Sequence, residues 1–401
     1  MRITNKWTAL SFSAGAVILS LTTWFSATAI LPELRDSLGM SPAAATWLTN
    51  AVQAGFVVGA LVSSLLSLSD VMPITRLMAW ASLAAGVFNA VALLEPGATS
   101  VIAARFATGA ALALVYPPSV KLASTWFRQA RGLALGVMVG ALALGSALPY
   151  LMRGVGAGPD WQLVLVGSSV ACMIAALLFG FVLHEGPHPY SRTKMDPRHF
   201  GAILRNRPVM LANMGYFGHC WDIYAMWGWI MAYAAAAQLS GLSVGNPALL
   251  AFAAIAMGAP ASVAAGKMAD HFGRCNIAAF CAATSGVAAL LIGVTFGGPA
   301  WAFLVVATIW GAVIIADSAQ YTAAVTELAD QTLVGSTVAF QMGVGFGITM
   351  ITVWLLPVLA EMLGSWRWSF LILLPGPVLG AWAMLTLKRL PEAGLLAGGR
   401  R

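Results

Sequence analysis

The chain has 401 residues, of which 60% are hydrophobic and only 9% are charged, and its formal net charge is +7. A composition this apolar would leave large apolar patches in water, which excludes an ordinary soluble globular protein. Membrane topology and attraction to anionic lipid headgroups account for the positive charge, so it does not indicate nucleic-acid binding.

Long apolar runs with few charges follow one another from Thr8 to Leu387. A helix needs about 20 apolar residues to cross a hydrocarbon core roughly 30 Å thick. The runs therefore predict an all-α integral membrane protein with twelve spans. In chain order the predicted spans are approximately 9–31, 45–68, 74–94, 98–119, 130–151, 161–183, 208–235, 248–265, 275–296, 300–323, 333–357 and 368–387.

The lysine and arginine residues predict the orientation of these spans, because short loops rich in them stay in the cytoplasm. With the amino terminus inside, the outer face carries only Arg35, Arg153 and Arg367, and Arg105 lies within a span. Both termini are therefore predicted to be cytoplasmic. The short loops suit a multi-pass protein of a bacterial cytoplasmic (inner) membrane. Residues 27–29 match a signal-peptidase motif, but cleavage would misplace the basic segments, so we expect no cleaved leader.

One long charged connection, which begins at His184, separates six predicted spans from the following six. We predict an amino-terminal six-helix bundle over 1–183, a cytoplasmic linker over 184–207, a carboxy-terminal six-helix bundle over 208–387 and a cytoplasmic tail over 388–401. Two halves with equal span counts indicate an internal repeat, which is the usual construction of secondary transporters. The four cysteines lack metal-ligand spacing, so we expect them to pack as small apolar residues, and we expect no metal or cofactor.

Two corresponding loops carry related motifs. The loop after the eighth span contains Gly266, Asp270, Gly273 and Arg274 in the pattern Gly-x-x-x-Asp-x-x-Gly-Arg, and the loop after the second span keeps only Asp70. The fourth span contains Arg105-Phe106-x-x-Gly109, and Trp126-Phe127-x-x-x-Arg131-Gly132 leads into the fifth. In these motifs the chain resembles the major facilitator superfamily, and the resemblance extends over its whole length.

The resemblance implies a fold of twelve transmembrane helices in two pseudo-symmetric six-helix bundles that work by alternating access. It implies gating roles for Asp70, Arg131, Asp270 and Arg274, and it links an arginine at the position of Arg105 to substrate binding or proton coupling. The antiporter signature of the family has a Gly-Pro pair in the fifth span. This sequence has Gly140-Ala141 there, which weakens the case for antiport.

Ionisable residues inside predicted spans are functional hypotheses, because a charge in the bilayer is costly unless it faces a cavity or a partner. Arg105 in the fourth span could bind solute, or it could donate hydrogen bonds to carbonyl groups of neighbouring helices. His219 and Asp222 in the seventh span are i, i+3 neighbours that could form a hydrogen-bonded proton relay. The alternative for His219 is a core residue among packed aromatic side chains.

Asp317 lies in an unusually polar part of the tenth span, where Gln320 and Tyr321 share its helix face. Burial disfavours the charged form of a carboxylate, which makes Asp317 a candidate proton carrier. The alternative is that Asp317 pairs with a basic group and closes a gate.

Several uncharged polar residues within the spans could coordinate solute, or they could join helices through interhelical hydrogen bonds. They are Asn50, Gln53, Tyr116 and Gln341. His219, Gln320 and Tyr321 are further candidates for binding solute.

Charged residues at the cytoplasmic ends could form a breakable latch between the two halves. On one side Lys121, Arg128 and Arg131 lie with Asp70, and on the other Glu327 and Asp330 lie with Lys267 and Arg274.

The sequence thus predicts a proton-coupled porter, not an enzyme, for a small anionic organic or inorganic solute. Its expected partners are the solute, protons and the lipid bilayer, and we expect a monomer. Export of amphipathic drugs or metabolites is the alternative within transport. A membrane sensor that binds without transport is the alternative outside it. No phosphate-binding loop of the Walker type is visible, so we do not expect direct ATP hydrolysis.

Overall fold

The structure is a computed structural model of the chain. It describes residues 3–66, 68–127, 131–156, 160–188, 197–330 and 333–400, and within these ranges the side chains of Ser69, Asp70, Arg131 and Pro197 are outside the description.

The described residues form α-helices joined by short turns, with no β-strand among them. The first ten helices are α1 (Lys6–Leu21), α2 (Ser26–Ala29), α3 (Leu31–Ser37), α4 (Pro42–Leu66), α5 (Leu68–Val71), α6 (Ile74–Ala90), α7 (Ala98–Leu112), α8 (Tyr116–Trp126), α9 (Arg131–Gly156) and α10 (Gln162–Leu177). The helices that follow are α11 (Phe200–Arg205), α12 (Arg207–Leu239), α13 (Pro247–Ala256), α14 (Gly258–Phe272), α15 (Arg274–Thr295), α16 (Ala300–Ala316), α17 (Ser318–Leu328), α18 (Val334–Met362) and α19 (Pro375–Lys388).

Two compact units make up the chain. The first unit is Met1–Ser191 with Gly245–Ile255, and the second is Arg192–Val244 with Ala256–Arg401. Short 3₁₀ segments supplement the α-helices at Val91–Leu94, Pro197–His199, Ser369–Leu373 and Pro391–Gly398, and a π-helical turn occupies Leu178–Val182.

Ten helical stretches in the described part of the chain are long and apolar enough to cross a membrane. They are Pro42–Leu66, Ile74–Leu94, Ala98–Trp126, Gly132–Gly156, Gln162–Val182, Pro247–Phe272, Arg274–Thr295, Ala300–Leu328, Val334–Met362 and Ser369–Lys388. Each of them corresponds to one predicted span, so the chain is a multi-pass, all-helical membrane protein.

The other two predicted spans differ from these ten. The stretch 9–31 is not one helix, because α1 ends at Leu21 and α2 begins at Ser26. The stretch 208–235 lies within the continuous 33-residue helix α12, which carries His219 and Asp222. The count of twelve spans therefore stays a prediction.

Three of the ten stretches each consist of two α-helices. Ala98–Trp126 breaks between Leu112 and Tyr116, where Pro117 and Pro118 follow and have no N–H to donate to the preceding turn. Pro247–Phe272 breaks at Met257, and Ala300–Leu328 breaks at Asp317. The last of these breaks positions a candidate site residue.

Helices α4 and α7 pack with their backbones in direct contact. A Cβ added to Gly55 would overlap the carbonyl oxygen of Phe106, and one added to Gly109 would overlap the carbonyl oxygen of Val52. Glycine at these positions is what allows the approach, as at close helix crossings in membranes generally. This contact holds the helix that carries Arg105 against α4.

We expect Gly55→Ala to destabilise the first unit, because the added methyl group meets backbone atoms that cannot move aside without separating the two helices. The expected loss is about 2 kcal/mol or more, as for other overpacked sites. Thermal unfolding of the purified protein in detergent measures it. Gly15→Ala is the matched control, since nothing lies within 4 Å of a Cβ there, and alanine favours a helix over glycine by roughly 0.5–1 kcal/mol. Equal melting temperatures for the two variants would contradict this packing.

Candidate functional site

A buried cluster in the second unit joins three helices through ionisable side chains. His219 of α12 places its Nδ1 atom 2.8 Å from Oδ1 of Asp317, at the junction of α16 and α17. The hydroxyl of Tyr321, on α17, donates a 2.9 Å hydrogen bond to the other carboxylate oxygen of Asp317. His219 and Asp317 are both buried, so this pair is shielded from water.

A second carboxylate lies on the same helix as His219. Asp222 accepts a 2.6 Å hydrogen bond from the hydroxyl of Ser285 on α15, and that hydroxyl accepts a 2.9 Å hydrogen bond from the indole N–H of Trp310 on α16. All three side chains are buried. The cluster therefore contains two carboxylates and one imidazole, held by groups from α12, α15, α16 and α17.

The local structure around Asp317 explains its position. Helix α16 ends at Ala316, and α17 begins at Ser318. The N–H of Gln320 donates a 2.9 Å hydrogen bond to the carbonyl of Asp317, three residues earlier. Such a bond forms a tighter turn than that of an α-helix. Aromatic rings flank the imidazole, since the ring centroids of Tyr216 and Tyr321 each lie 5.9 Å from that of His219.

The predicted hydrogen bond between His219 and Asp222 is not formed. Spacing along α12 places the two side chains on one side of the helix, but each finds its partner on another helix. His219 pairs with Asp317, and Asp222 accepts from Ser285. Ser285 and Trp310 were missing from the predicted site. Both residues lie in apolar stretches of sequence, and nothing in the sequence distinguishes Ser285 and Trp310 from core residues.

The cluster can change its charge by one proton. When His219 is protonated and both carboxylates are ionised, the cluster carries one net negative charge. One additional proton makes it neutral. A net charge is costly in a medium of low polarity. Uptake of one proton would therefore lower the free-energy cost of burying this cluster among its helices.

The motif after the eighth span forms a separate charged group in the second unit. Arg274, the first residue of α15, donates to both carboxylate oxygens of Glu327 at 2.9 and 2.7 Å and to the side chain of Gln320 at 3.2 Å. Gly273, just before it, has φ of 91°, a conformation that favours glycine. Gln320, predicted to bind solute, is therefore engaged by Arg274.

The carboxy-terminal tail packs onto this charged group. Leu396 is fully buried, and the N–H of Ala397 donates a 3.0 Å hydrogen bond to Glu327. The guanidinium of Arg400 donates to the backbone carbonyl of Asp270. The ion pair of Arg274 with Glu327 lies within one unit, so a latch between the halves stays a prediction. Asp70 and Arg131, its predicted counterparts in the first unit, have side chains outside the described residues.

Arg105 has a different environment in the first unit, where it is 1% exposed. Its guanidinium donates to the carbonyl groups of Thr23 (2.8 Å), Trp24 and Leu48 (3.3 Å). It also donates to two side chains, Ser26 at 3.2 Å and Asn89 at 2.9 Å. Thr23 and Trp24 lie where α1 has ended, so these carbonyls lack helical partners. The geometry favours the predicted alternative in which Arg105 joins neighbouring helices.

Asn89 links Arg105 to the rest of the first unit. Its side-chain oxygen accepts from Ser26 at 2.6 Å, and its amide nitrogen donates to Ser169 at 3.0 Å. Asn89 is the single amide side chain within the apolar helix α6, and that isolation is the signal in the sequence that marks it.

The uncharged polar residues predicted to bind solute are all buried. Tyr116 begins α8, and Gln341 lies in the first half of α18. Within the described chain, neither amide atom of Gln341 has a hydrogen-bond partner. The same is true of Gln53 on α4, and the side-chain oxygen of Asn50 also lacks a partner there. These three side chains therefore do not join helices through hydrogen bonds of those atoms.

The amino-acid sequence of this chain is similar to those of known membrane transporters. The family model described as Major Facilitator Superfamily matches residues 13–261, which is more than half of the chain. The chain is 26% identical over 189 residues to the MFS-type transporter pynF of Aspergillus niger. That similarity covers 45% of this chain and 41% of the Aspergillus protein, so the chain spans less than half the length of the curated relative it matches.

Proposed function

The chain belongs to the major facilitator superfamily of membrane transporters, and on that premise we propose that it is a secondary active transporter driven by protons. Its solute is a small organic or inorganic anion. The two halves move so that the solute site opens alternately to each side of the membrane. The protein acts as a monomer in a bacterial cytoplasmic membrane, with both termini inside. It carries its solute without converting it.

The single observation that carries this proposal is the buried contact of His219 with Asp317 at 2.8 Å. Ionisable groups are costly in the interior of a membrane protein and mark proton or solute pathways. Asp222 adds a second carboxylate to the same unit. Two carboxylates and a protonated imidazole become neutral when they take up one further proton, and a proton-coupled carrier requires such a neutral, proton-loaded state.

The electrostatics of the first unit favour an anionic solute. Among the described residues, Arg105 donates only to neutral acceptors, which are three carbonyl groups and the side chains of Ser26 and Asn89. Its positive charge is therefore not neutralised by a carboxylate among these partners. At an effective dielectric constant of about 20, a unit charge attracts an anion 10 Å away by roughly 1.7 kcal/mol. Arg105 can thus favour an anion without contacting it.

Export of amphipathic compounds is the second candidate, and aromatic side chains in the second unit favour it. Tyr224 lies 5.6 Å from Trp227 and 5.6 Å from Phe346, measured between ring centroids, and Tyr224 and Trp227 are buried. The Tyr224 and Trp227 rings meet edge to face, and the Tyr224 and Phe346 rings are tilted against each other. Aromatic rings bind lipophilic cations through their π faces.

The function is tested by solute flux in proteoliposomes with an imposed pH gradient. We expect protein-dependent accumulation of one or more small organic acids, and we expect it to vanish when a protonophore dissipates the gradient. A difference of one pH unit supplies about 1.4 kcal/mol per proton, enough for roughly tenfold accumulation.

The same vesicles distinguish the alternatives. Proton-driven movement of a lipophilic cation such as ethidium, with none of the acids, would replace the anion proposal with export. Ligand-induced thermal stabilisation without flux of any compound would indicate a sensor. Accumulation of an acid that a protonophore does not affect would refute proton coupling.

A further inference from the structure

Two side-chain amides on one face of α4 are buried without hydrogen-bond partners. Asn50 and Gln53 are 2% and 0% exposed. In the described part of the chain, the side-chain oxygen of Asn50 and both the oxygen and the nitrogen of the Gln53 amide have no partner. Because an unpaired buried polar atom is costly, proteins retain few of them, and those few call for an explanation.

Helix packing does not explain these amides. Helix α4 contacts α7 through Val52, Gly55 and Gly59. With 100° per residue, Asn50 lies on the opposite side of the helix from these three residues, and Gln53 lies about 100–160° away from each of them, so neither amide faces α7.

The hydroxyl groups near the amides on α4 are satisfied within the protein. Thr46 donates to the carbonyl of Pro42 at 3.1 Å, and the hydroxyls of Thr49 and Thr28 lie 2.8 Å apart. The amides are thus the exception among their polar neighbours on this helix.

We propose that Asn50 and Gln53 bind the hydroxyl or N–H groups of the transported solute, which is therefore an organic anion that carries hydrogen-bond donors, such as a hydroxy acid. The inference rests on the proposed transport function and narrows its substrate class. Asn50 offers one unpaired acceptor, and Gln53 offers one acceptor and one donor. Since both atoms of the Gln53 amide are unpartnered, either orientation of that amide presents the same pair of groups.

Anions that carry no hydrogen-bond donor cannot pair with all the unpaired atoms of Asn50 and Gln53. Carboxylates and inorganic oxyanions supply only acceptors when ionised. Such a solute could satisfy the nitrogen of Gln53 but would leave two carbonyl oxygens unpaired. A hydroxyl group both donates and accepts, so it can pair with either amide. Sites that hydrogen-bond a substrate hydroxyl discriminate strongly against the analogue that lacks it.

The test uses pairs of acids that differ by one hydroxyl, glycolate with acetate and malate with succinate. Binding is measured as ligand-induced thermal stabilisation of the purified full-length protein, and flux is measured in proteoliposomes. In the wild-type protein we expect the hydroxy acid of at least one pair to bind about tenfold or more tightly than its partner. Gln53→Met should reduce that ratio severalfold, because methionine has similar length and no strong hydrogen-bonding group, so that only the acceptor of Asn50 remains.

The matched control is Thr46→Val on the same helix, since the hydroxyl of Thr46 is already satisfied by Pro42. This variant should keep the wild-type ratio. A second readout needs no solute. Removal of unpaired buried atoms should leave the melting temperature of the Gln53→Met protein equal to or above that of wild type.

Three results would overturn the inference. The first is that the wild-type protein binds both acids of each pair equally, or binds none of the four acids. The second is that Gln53→Met keeps the wild-type binding ratio. The third is a clear fall in the melting temperature of Gln53→Met, which would show that the amide has a structural partner. The proposed function can fail separately. Selective binding of hydroxy acids without flux would refute transport and would support the assignment of Asn50 and Gln53.

Discussion

Replacing Asp317 by asparagine is expected to abolish accumulation driven by a pH gradient. The amide can still accept the hydrogen bond from Tyr321, which in the native protein is 2.9 Å long, but it cannot bind and release a proton. We expect the accumulation ratio under a one-unit gradient to fall from about ten to about one. Flux in proteoliposomes measures this loss. Because His219 contacts Asp317 directly, adding His219→Asn to the variant should cause little further loss.

Asp36→Asn is the control for a carboxylate outside the cluster, since the side chain of Asp36 is 71% exposed. It should accumulate solute like wild type. Full proton-driven accumulation by the Asp317→Asn protein would remove Asp317 from the proton pathway. If Asp222→Asn then abolished accumulation, the hydrogen-bonded group of Asp222, Ser285 and Trp310 would take over the proposed role.

Replacing Arg105 by leucine is expected to unfold or severely destabilise the first unit. The variant removes every hydrogen bond that the guanidinium donates, including those to the Trp24 carbonyl and to Asn89. Each buried acceptor left unpaired costs about 1–3 kcal/mol, so we expect a total loss of roughly 3–6 kcal/mol. For a unit of this size the melting temperature in detergent should fall by about 10 °C or more.

Arg105→Lys should recover only part of this stability, because an ammonium group cannot reach acceptors on several helices at once. Arg35→Leu is the control, since the side chain of Arg35 is 45% exposed and contacts only Asp36 among the described ion pairs. It should change stability by less than about 1 kcal/mol. An Arg105→Leu protein with a native melting temperature and no stabilisation by any acid would return Arg105 to the solute site.

Much of the fold was predictable because lipid imposes a simple rule on sequence. Every backbone group inside the bilayer must be paired, so a span appears as a long apolar helix. Ten predicted spans accordingly correspond to ten apolar helical stretches. The family resemblance was also visible in short loops, where Gly273 and Arg274 are needed for a turn and an ion pair.

The breaks within spans were harder to predict. An apolar composition does not specify whether a helix is continuous, so the end of α1 at Leu21 and the break at Asp317 were not visible in the sequence. Both breaks matter for the candidate sites. The first exposes the carbonyl groups of Thr23 and Trp24, to which Arg105 donates, and the second positions the carboxylate that contacts His219.

The sequence by itself determined that this is a multi-pass helical membrane protein of a transporter family, and it identified Arg105, His219, Asp222 and Asp317 as the unusual charges within it. Only the tertiary structure decided their partners. Spacing along one helix paired His219 with Asp222, whereas packing of α12 against α17 brought Asp317 to His219, and the side chain of Asp222 accepts from Ser285 on α15. The physical reason is that a buried polar group pairs with a complementary group that is near in space, and for His219 and Asp222 that group lies outside α12.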